Sequence, residues 1–360
     1  MQSRPHLLVD ISSHGFGHVS QTSVVLNELV KLVPAIRLTV RTTAPLALLK
    51  QRIHCAFEHI PLAFDFGMKM ANAVDVEVEE SAAAYQAFHT DWQQKVLREA
   101  ASMHQLKPDL LLANVPYLSL AAARHARVRA VGMCSLNWAD IYQHYCVRDG
   151  ASQRIHQQIL AAYNSADYFL KTQPAMEMGN LGNVRSVQPI AQMGVPHRSL
   201  ISTRSTFRET EKLVMVAMGG MEFRLPVQSW PHLHGIHWIV PQSWGIKRND
   251  TTTFESLNLS FVDVLASCNA VITKPGYGTF TEAACAGIPL LYLTRRNWPE
   301  EPYLVHWLRQ NAACIEVERE LLKSGELAEV LEKLWSMPLP PRPVATGALV
   351  AATFLQAEYF

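Results

Sequence analysis

The segment VITKPGYGTFTEAACAGIPLLYLTRRNWPEEPY, residues 271–303, constrains the fold of this chain more than any other stretch. Ala270–Thr273 reads as a buried strand, Lys274–Gly278 as a glycine-rich turn, Thr279 onward as a helix and Ile288–Leu293 as a second strand. Strand, turn, helix and strand in so few residues build a parallel pair. The turn gathers backbone N–H groups at the positive end of the helix, a place that favours phosphate. Glu282, one turn into the helix, is placed to accept the hydroxyls of a ribose. Thr279-Phe280-Thr281-Glu282 also reads as a capping box, a purely structural device. Two glycines flanking Tyr277 and the carboxylate pair Glu300-Glu301 after the next strand tip the balance toward a nucleotide-diphosphate pocket formed by Lys274, Gly276, Tyr277, Gly278, Thr279 and Glu282.

A matching half stands near the N-terminus. The apolar run His6–Ile11 (HLLVDI) is short enough for a buried parallel strand, and the loop SSHGFGH follows it. An amphipathic helix then runs over Val19–Val33 and stops at Pro34. Gly15 and Gly17 let backbone pass close to a ligand, and His14 and His18 flank that opening. The third glycine of a dinucleotide fingerprint is missing. Histidines at the carboxyl end of a first strand still mark the edge where open α/β sheets bind ligands.

At 360 residues, 49 % of them hydrophobic, two domains with full cores are expected. Charged residues make up 18 % and the net charge is +1; nothing there suggests nucleic acid, which would want a clustered basic surface. No apolar run reaches the ~18 residues of a membrane span, although contact with a membrane surface stays open. The N-terminus passes from a strand straight into a polar loop, unlike a signal peptide. Six cysteines without a CxxC pair point to reduced, buried thiols and a cytoplasmic location. His232, His234 and His237 lack acidic or cysteine partners at ligand spacing, so no metal site is expected.

Strand and helix alternate through the first half, with strands at His6–Ile11, Ile36–Arg41, Ala56–Ile60, Asp109–Asn114, Val128–Cys134 and Tyr168–Lys171. Between them lie helical patterns at Glu77–Met103 (with a break open), Ser119–His125 and Ala151–Ser165. Periodicity is lost over Pro189–Lys212, as at a domain joint. A second series follows, with strands at Leu213–Met218, Ile236–Val240, Ala270–Thr273, Ile288–Leu293 and Cys314–Val317. Its helices are Thr279–Ala286, Pro302–Asn311 and Glu318–Trp335, and a last helix at Val344–Glu358 follows the proline run MPLPPRP. The expected division is an N-terminal domain at 1–192, a linker at 193–212, a nucleotide-binding domain at 213–337 and a crossover with terminal helix at 338–360. The fold class is α/β, two Rossmann-like doubly wound parallel-sheet domains facing a cleft.

Several motifs carry a family resemblance: HGFGH at 14–18, DVEVEESAAAYQAF at 75–88, LKPDLLLANVPYLSLAAA at 106–123, LNWADIYQHY at 136–145, TQPAMEM at 172–178, KPGYGTFTEA at 274–283 and RRNWPEEPYL at 295–304. With these the chain resembles the GT-B glycosyltransferases. It is similar to the glycosyltransferase-like N-terminal region of plant arabinose kinases and their bacterial relatives, and more distantly to the peptidoglycan N-acetylglucosaminyltransferase. The resemblance implies a sugar nucleotide, of UDP type first, held by the C-terminal domain as co-substrate, with no cofactor. Gly219-Gly220 and the Gly276–Thr279 turn would meet the diphosphate, Glu282 the ribose, Lys274 a phosphate, and one of Glu300 and Glu301 the donor sugar. Arg295 and Arg296 would balance phosphate charge or pair with those glutamates. Gly15 and Gly17 would border the ligand from the other side.

By the same resemblance His18 is the general base of an inverting, metal-independent transfer to a hydroxyl acceptor. An imidazole suits proton removal near neutral pH, and fixed helix N–H groups can take the leaving diphosphate's charge. Asn114 stands where relatives have an aspartate beside the histidine, with Asp140 as a conceivable substitute. Met221 stands where a small hydroxyl residue often follows the paired glycines. Trp138 reads either as an acceptor-side platform or as a core residue. Glycosyl transfer leads. A non-catalytic nucleotide-sugar sensor or partner protein, favoured by Asn114 and Met221, and a nucleotide-sugar hydrolase using His18 are the alternatives.

Overall fold

A computed structural model describes residues 4–72, 75–219, 223–294 and 297–360. Gly220, Met221, Arg295 and Arg296 lie outside the described residues. The chain divides into two compact units: Met1–Ala71, Val76–Ile190 and Thr346–Phe360 form the first, and Asn72–Asp75 with Ala191–Ala345 the second.

The first unit runs β1 (His6–Ile11), α1 (Gly17–Leu32), β2 (Arg37–Arg41), α2 (Leu46–Arg52), β3 (Glu58–Ile60), α3 (Val78–Thr90) and α4 (Trp92–Leu106). It continues with β4 (Leu110–Asn114), α5 (Tyr117–Ala126), β5 (Arg129–Cys134), α6 (Trp138–Cys146), α7 (Gly150–Asn164), β6 (Tyr168–Thr172) and β7 (Val184–Val187). The second unit holds α8 (Arg198–Arg204), β8 (Lys212–Ala217), β9 (Ile236–Val240), β10 (Thr251–Thr253), α9 (Phe261–Ser267), β11 (Ala270–Thr273) and α10 (Tyr277–Ala286). After these come β12 (Leu290–Tyr292), α11 (Glu301–Asn311), β13 (Cys314–Glu316), α12 (Arg319–Ser324) and α13 (Ala328–Ser336). The final helix α14 (Gly347–Tyr359) returns to the first unit.

The first sheet has the order β3-β2-β1-β4-β5-β6-β7 and the second β10-β9-β8-β11-β12-β13. Every strand pair in both is parallel, so both sheets are doubly wound α/β layers. Helices cover both faces of such a sheet, which explains why β1, β4 and β11 are buried along their whole length. In each sheet the order reverses once beside its first strand, between β1 and β4 and between β8 and β11.

The stretch 193–212, read as a linker, carries α8 and belongs to the second unit. The helix read at Glu318–Trp335 is two helices, because Gly325 takes φ +75 and ends α12. The long stretch at Glu77–Met103 is broken at Asp91 into α3 and α4. The capping box at Thr279 is not formed. Gly276 is the residue that starts α10, no side chain caps it, and Thr279 is already the third helical residue. The Thr281 hydroxyl instead bonds back to the Tyr277 and Gly278 carbonyls, at 2.9 and 3.1 Å.

Helix α14 packs along α1, with Gln356 Nε2 donating to the Leu32 carbonyl at 3.5 Å. Gly347 admits its first turn: a Cβ there would lie 1.9 Å from the Gln188 carbonyl oxygen. This bracing fixes the helix whose first turn carries His18.

Candidate functional site

His18 sits in the first turn of α1, just beyond the carboxyl end of β1, and Asn114 is the last residue of β4. These strands flank the point where the strand order reverses, where open α/β sheets bind ligands. The two side chains meet: His18 Nδ1 and Asn114 Oδ1 are 2.9 Å apart. An amide oxygen only accepts, so Nδ1 carries the proton and Nε2 keeps its lone pair. Nε2 makes no hydrogen bond among the described residues. Burial holds the imidazole down to about 4, with the bond to Asn114 opposing that shift only in part. The ring is therefore neutral, and a proton acceptor, across the physiological range.

The surroundings of His18 come from the end of β5, the start of α6 and the loops that carry His14 and Asp65–Gly67. Cys134 at the end of β5 brings its thiol to 3.6 Å from Nδ1. Trp138 is wholly buried; its ring lies 6.0 Å from that of His18 and meets His14 edge-on at 5.1 Å. Its indole N–H donates to Asp65 Oδ2 at 2.6 Å, and burial pushes the Asp65 carboxyl up to about 7. Gly67, at φ +65, lets backbone close over this group, since a Cβ would lie 2.6 Å from the His14 ring. Asp140 does not substitute for the missing aspartate, because its carboxylate accepts from Asn137 Nδ2 at the start of α6.

Beneath lies a cluster that the sequence reading missed. Asp10 on β1 and Arg41 on β2 are register partners, joined through Nε–Oδ1 at 2.6 Å and Nη2–Oδ2 at 2.7 Å. Glu99 of α4 reaches Arg41 Nη1 at 2.6 Å, an ion pair without hydrogen-bond alignment, and Arg41 also lies over the Phe64 ring. All three charged groups are buried. A charged residue inside the apolar run HLLVDI was the available signal for it.

The second unit repeats the placement. Gly219 follows β8 and Lys274 follows β11, the two strands at its reversal point. Gly219 has φ +86, and a Cβ there would sit 3.1 Å from Lys274 Cε, so the lysine stem passes directly over this glycine. The start of α10, from Gly276 through Tyr277, Gly278 and Thr279, is alongside. Gly276 is extended, at φ −166, and a Cβ on it would meet only Lys274 O, at 3.9 Å. A Cβ on Gly17 would meet nothing within 4 Å, and α1 also starts without a side-chain cap. At neither position does the protein's own packing demand glycine. Gly15 takes φ +88 in the loop before α1.

Glu282 is buried on α10, one turn past its start. Glu300 and Glu301 open α11, both buried, and the Trp298 indole donates to Glu300 Oε2 at 3.2 Å. Among the described residues no group of three or more His, Cys, Asp and Glu side chains is arranged to hold a metal ion. His237 is buried against the Thr252 hydroxyl, and His232 pairs with Asp250. No described helix is long and apolar enough to cross a membrane.

Replacing Asn114 by Asp puts a carboxylate at the Nδ1 proton. We expect the His18 pKa to rise from about 4 by roughly 1–3 units. A ring titration by NMR checks this, and an unmoved midpoint would mean the two side chains do not communicate.

No family model matches the chain. It is 23 % identical, over 369 aligned positions, to the L-arabinokinase of Arabidopsis thaliana, covering 96 % of this chain. The chain spans 34 % of that protein's length. Among solved structures, the glycotransferase of kitacinnamycin is similar at a TM-score of 0.63 and 14 % identity, over 99 % of this chain and 100 % of that one. The spinosyn rhamnosyltransferase SpnG complexed with thymidine diphosphate is similar at 0.57 and 14 %, over 99 % and 96 %. With two doubly wound parallel sheets and these neighbours over its whole length, the chain has the GT-B fold of the glycosyltransferases.

Proposed function

We propose that the protein is a glycosyltransferase that moves a sugar from a nucleotide-diphosphate donor, of UDP or dTDP type, to a hydroxyl acceptor. The support that weighs most is the matched equipment at the two reversal points. One carries a neutral histidine with its Nδ1 proton held. The other carries an uncapped helix start beside a lysine.

In this reading the diphosphate lies at the N–H groups opening α10, next to Lys274, and the ribose hydroxyls meet Glu282. The acceptor oxygen attacks the anomeric carbon as its proton passes to His18 Nε2. The bond from that carbon to the diphosphate breaks, and its electron pair leaves with the phosphate oxygen. Attack opposite the leaving group inverts the anomeric centre. Helix dipole and ammonium stabilise the departing charge, so the step needs no metal. The Asn114 oxygen orients the imidazole and steadies the imidazolium less than a carboxylate would.

That neutral partner also favours a second reading, a protein that binds the sugar nucleotide without turning it over. A thermal-shift panel of UDP, GDP, dTDP and ADP with their sugars addresses the shared first step. Ligand at a hundred times its dissociation constant should stabilise the protein by about 2.7 kcal/mol, and Glu282→Ala should abolish that shift. No shift with any nucleotide at millimolar concentration would remove both readings. A shift followed by sugar transfer to an acceptor selects the enzyme.

A further inference from the structure

A line of buried polar side chains runs away from His18 and is used by nothing so far described. Asn114 Nδ2 donates to Gln21 Oε1 at 3.2 Å, and Gln21 Nε2 donates to Ser135 Oγ at 3.0 Å. Gln21 is one turn along α1 from His18, and Ser135 follows β5. All three are at most 2 % exposed, so water cannot take over these bonds.

Two amides in series have two self-consistent settings. In one, Asn114 turns its oxygen to His18, Nδ1 carries the proton and Nε2 is a base. In the other, both amides are flipped, Asn114 donates to Nδ1, and Nε2 carries a proton it can only give away. The second setting would set Asn114 Oδ1 against the His18 carbonyl, which lies 3.4 Å from Nδ2 and only accepts. The same carbonyl already takes the Thr22 hydroxyl at 2.8 Å. The observed setting is the one in which every oxygen meets a donor.

We infer that Gln21, anchored by Ser135, is a positioning residue that holds the Asn114 amide in the setting that makes His18 Nε2 a base. The inference rests on the transfer reading above for its consequence, but the tautomer itself is a property of the unliganded protein. An aspartate beside a histidine is symmetric and needs no such lock; an asparagine is not, and does.

The test is nitrogen NMR of the whole 360-residue chain labelled at histidine, with the His18 signals assigned from their loss in His18→Gln. Wild type should show His18 protonated at Nδ1. Gln21→Met should populate the Nε2-protonated form substantially and, where transfer is assayed, lower kcat roughly 10–100-fold, the scale seen when an orienting partner of a histidine is removed, with the KM for donor unchanged. Gln21→Glu, which still accepts from Asn114, should keep the wild-type tautomer, as a control if Gln21→Met folds poorly. Wild-type His18 protonated at Nε2, or a Gln21→Met tautomer identical to wild type, overturns the inference. Absence of transfer with a correct tautomer response would count against the enzyme reading alone.

Discussion

If the protein transfers sugar as proposed, replacing His18 by glutamine should lower that transfer by about 10²–10⁴-fold, the range of a lost general base, while nucleotide binding is retained. Glutamine keeps a polar group beside Asn114 in the same buried place, so folding survives, but it cannot take a proton. In the proposed reading the donor is held by Gly219, Lys274, the start of α10 and Glu282, all in the second unit. The thermal shift with the donor nucleotide should therefore match wild type. The pH profile of the proposed transfer adds a second mark. With its pKa near 4, His18 stays deprotonated down to mildly acid pH, so the limb of kcat/KM that it governs should appear near 4 rather than near 6.5. Transfer in His18→Gln within tenfold of wild type would assign the proton to another group.

Changing Arg41 to methionine costs about 3–5 kcal/mol of stability, because it strands buried carboxylates. Asp10 is fully buried, Glu99 nearly so, and Asp65 adds a further buried carboxyl within reach of Asp10's charge. Burial pushes Glu99 up to about 7 even with Arg41 pulling the other way and Asp10 adding to the rise. The sign follows from the raised value. A folded carboxyl that titrates above its unfolded counterpart binds more protons than the unfolded chain between the two pKa values, so its stability contribution is full at low pH and is lost as pH rises through the folded value. The penalty of Arg41→Met should accordingly be larger at pH 8 than at pH 5 in urea unfolding, and adding Glu99→Gln should recover part of it. An equal loss at both pH values, or one below about 1 kcal/mol, the scale of an exposed pair, would mean that the guanidinium is not neutralising these acids.

The inner strands were legible because parallel strands buried on both faces must be apolar runs, and HLLVDI, IHWIV and AVIT are that. The strands that escaped, β7 (VRSV) and β10 (TTT), are the outermost of their sheets. An edge strand faces solvent on one side and carries no such run. The start of α10 was misplaced by two residues because Thr279 and Glu282 have capping-box spacing, whereas the backbone turns into the helix at Gly276. Pairing of His18 with Asn114, 96 residues apart, came only from resemblance. Gln21 with Ser135 and Arg41 with Glu99 had no local signal at all, since such contacts are made by the winding of the sheet and not by spacing along the chain.

The return of α14 to the first unit bears on how the protein is made. The whole of residues 191–345 is translated between the body of that unit and the helix that covers α1. At the ~5–20 residues per second of synthesis this is a wait of roughly 8–30 s, during which the apolar flank of α1 has no mate. The second unit is contiguous over that stretch and can close as soon as it emerges. The first unit therefore cannot be completed until Thr346–Phe360 has been made, after the whole of the 191–345 stretch.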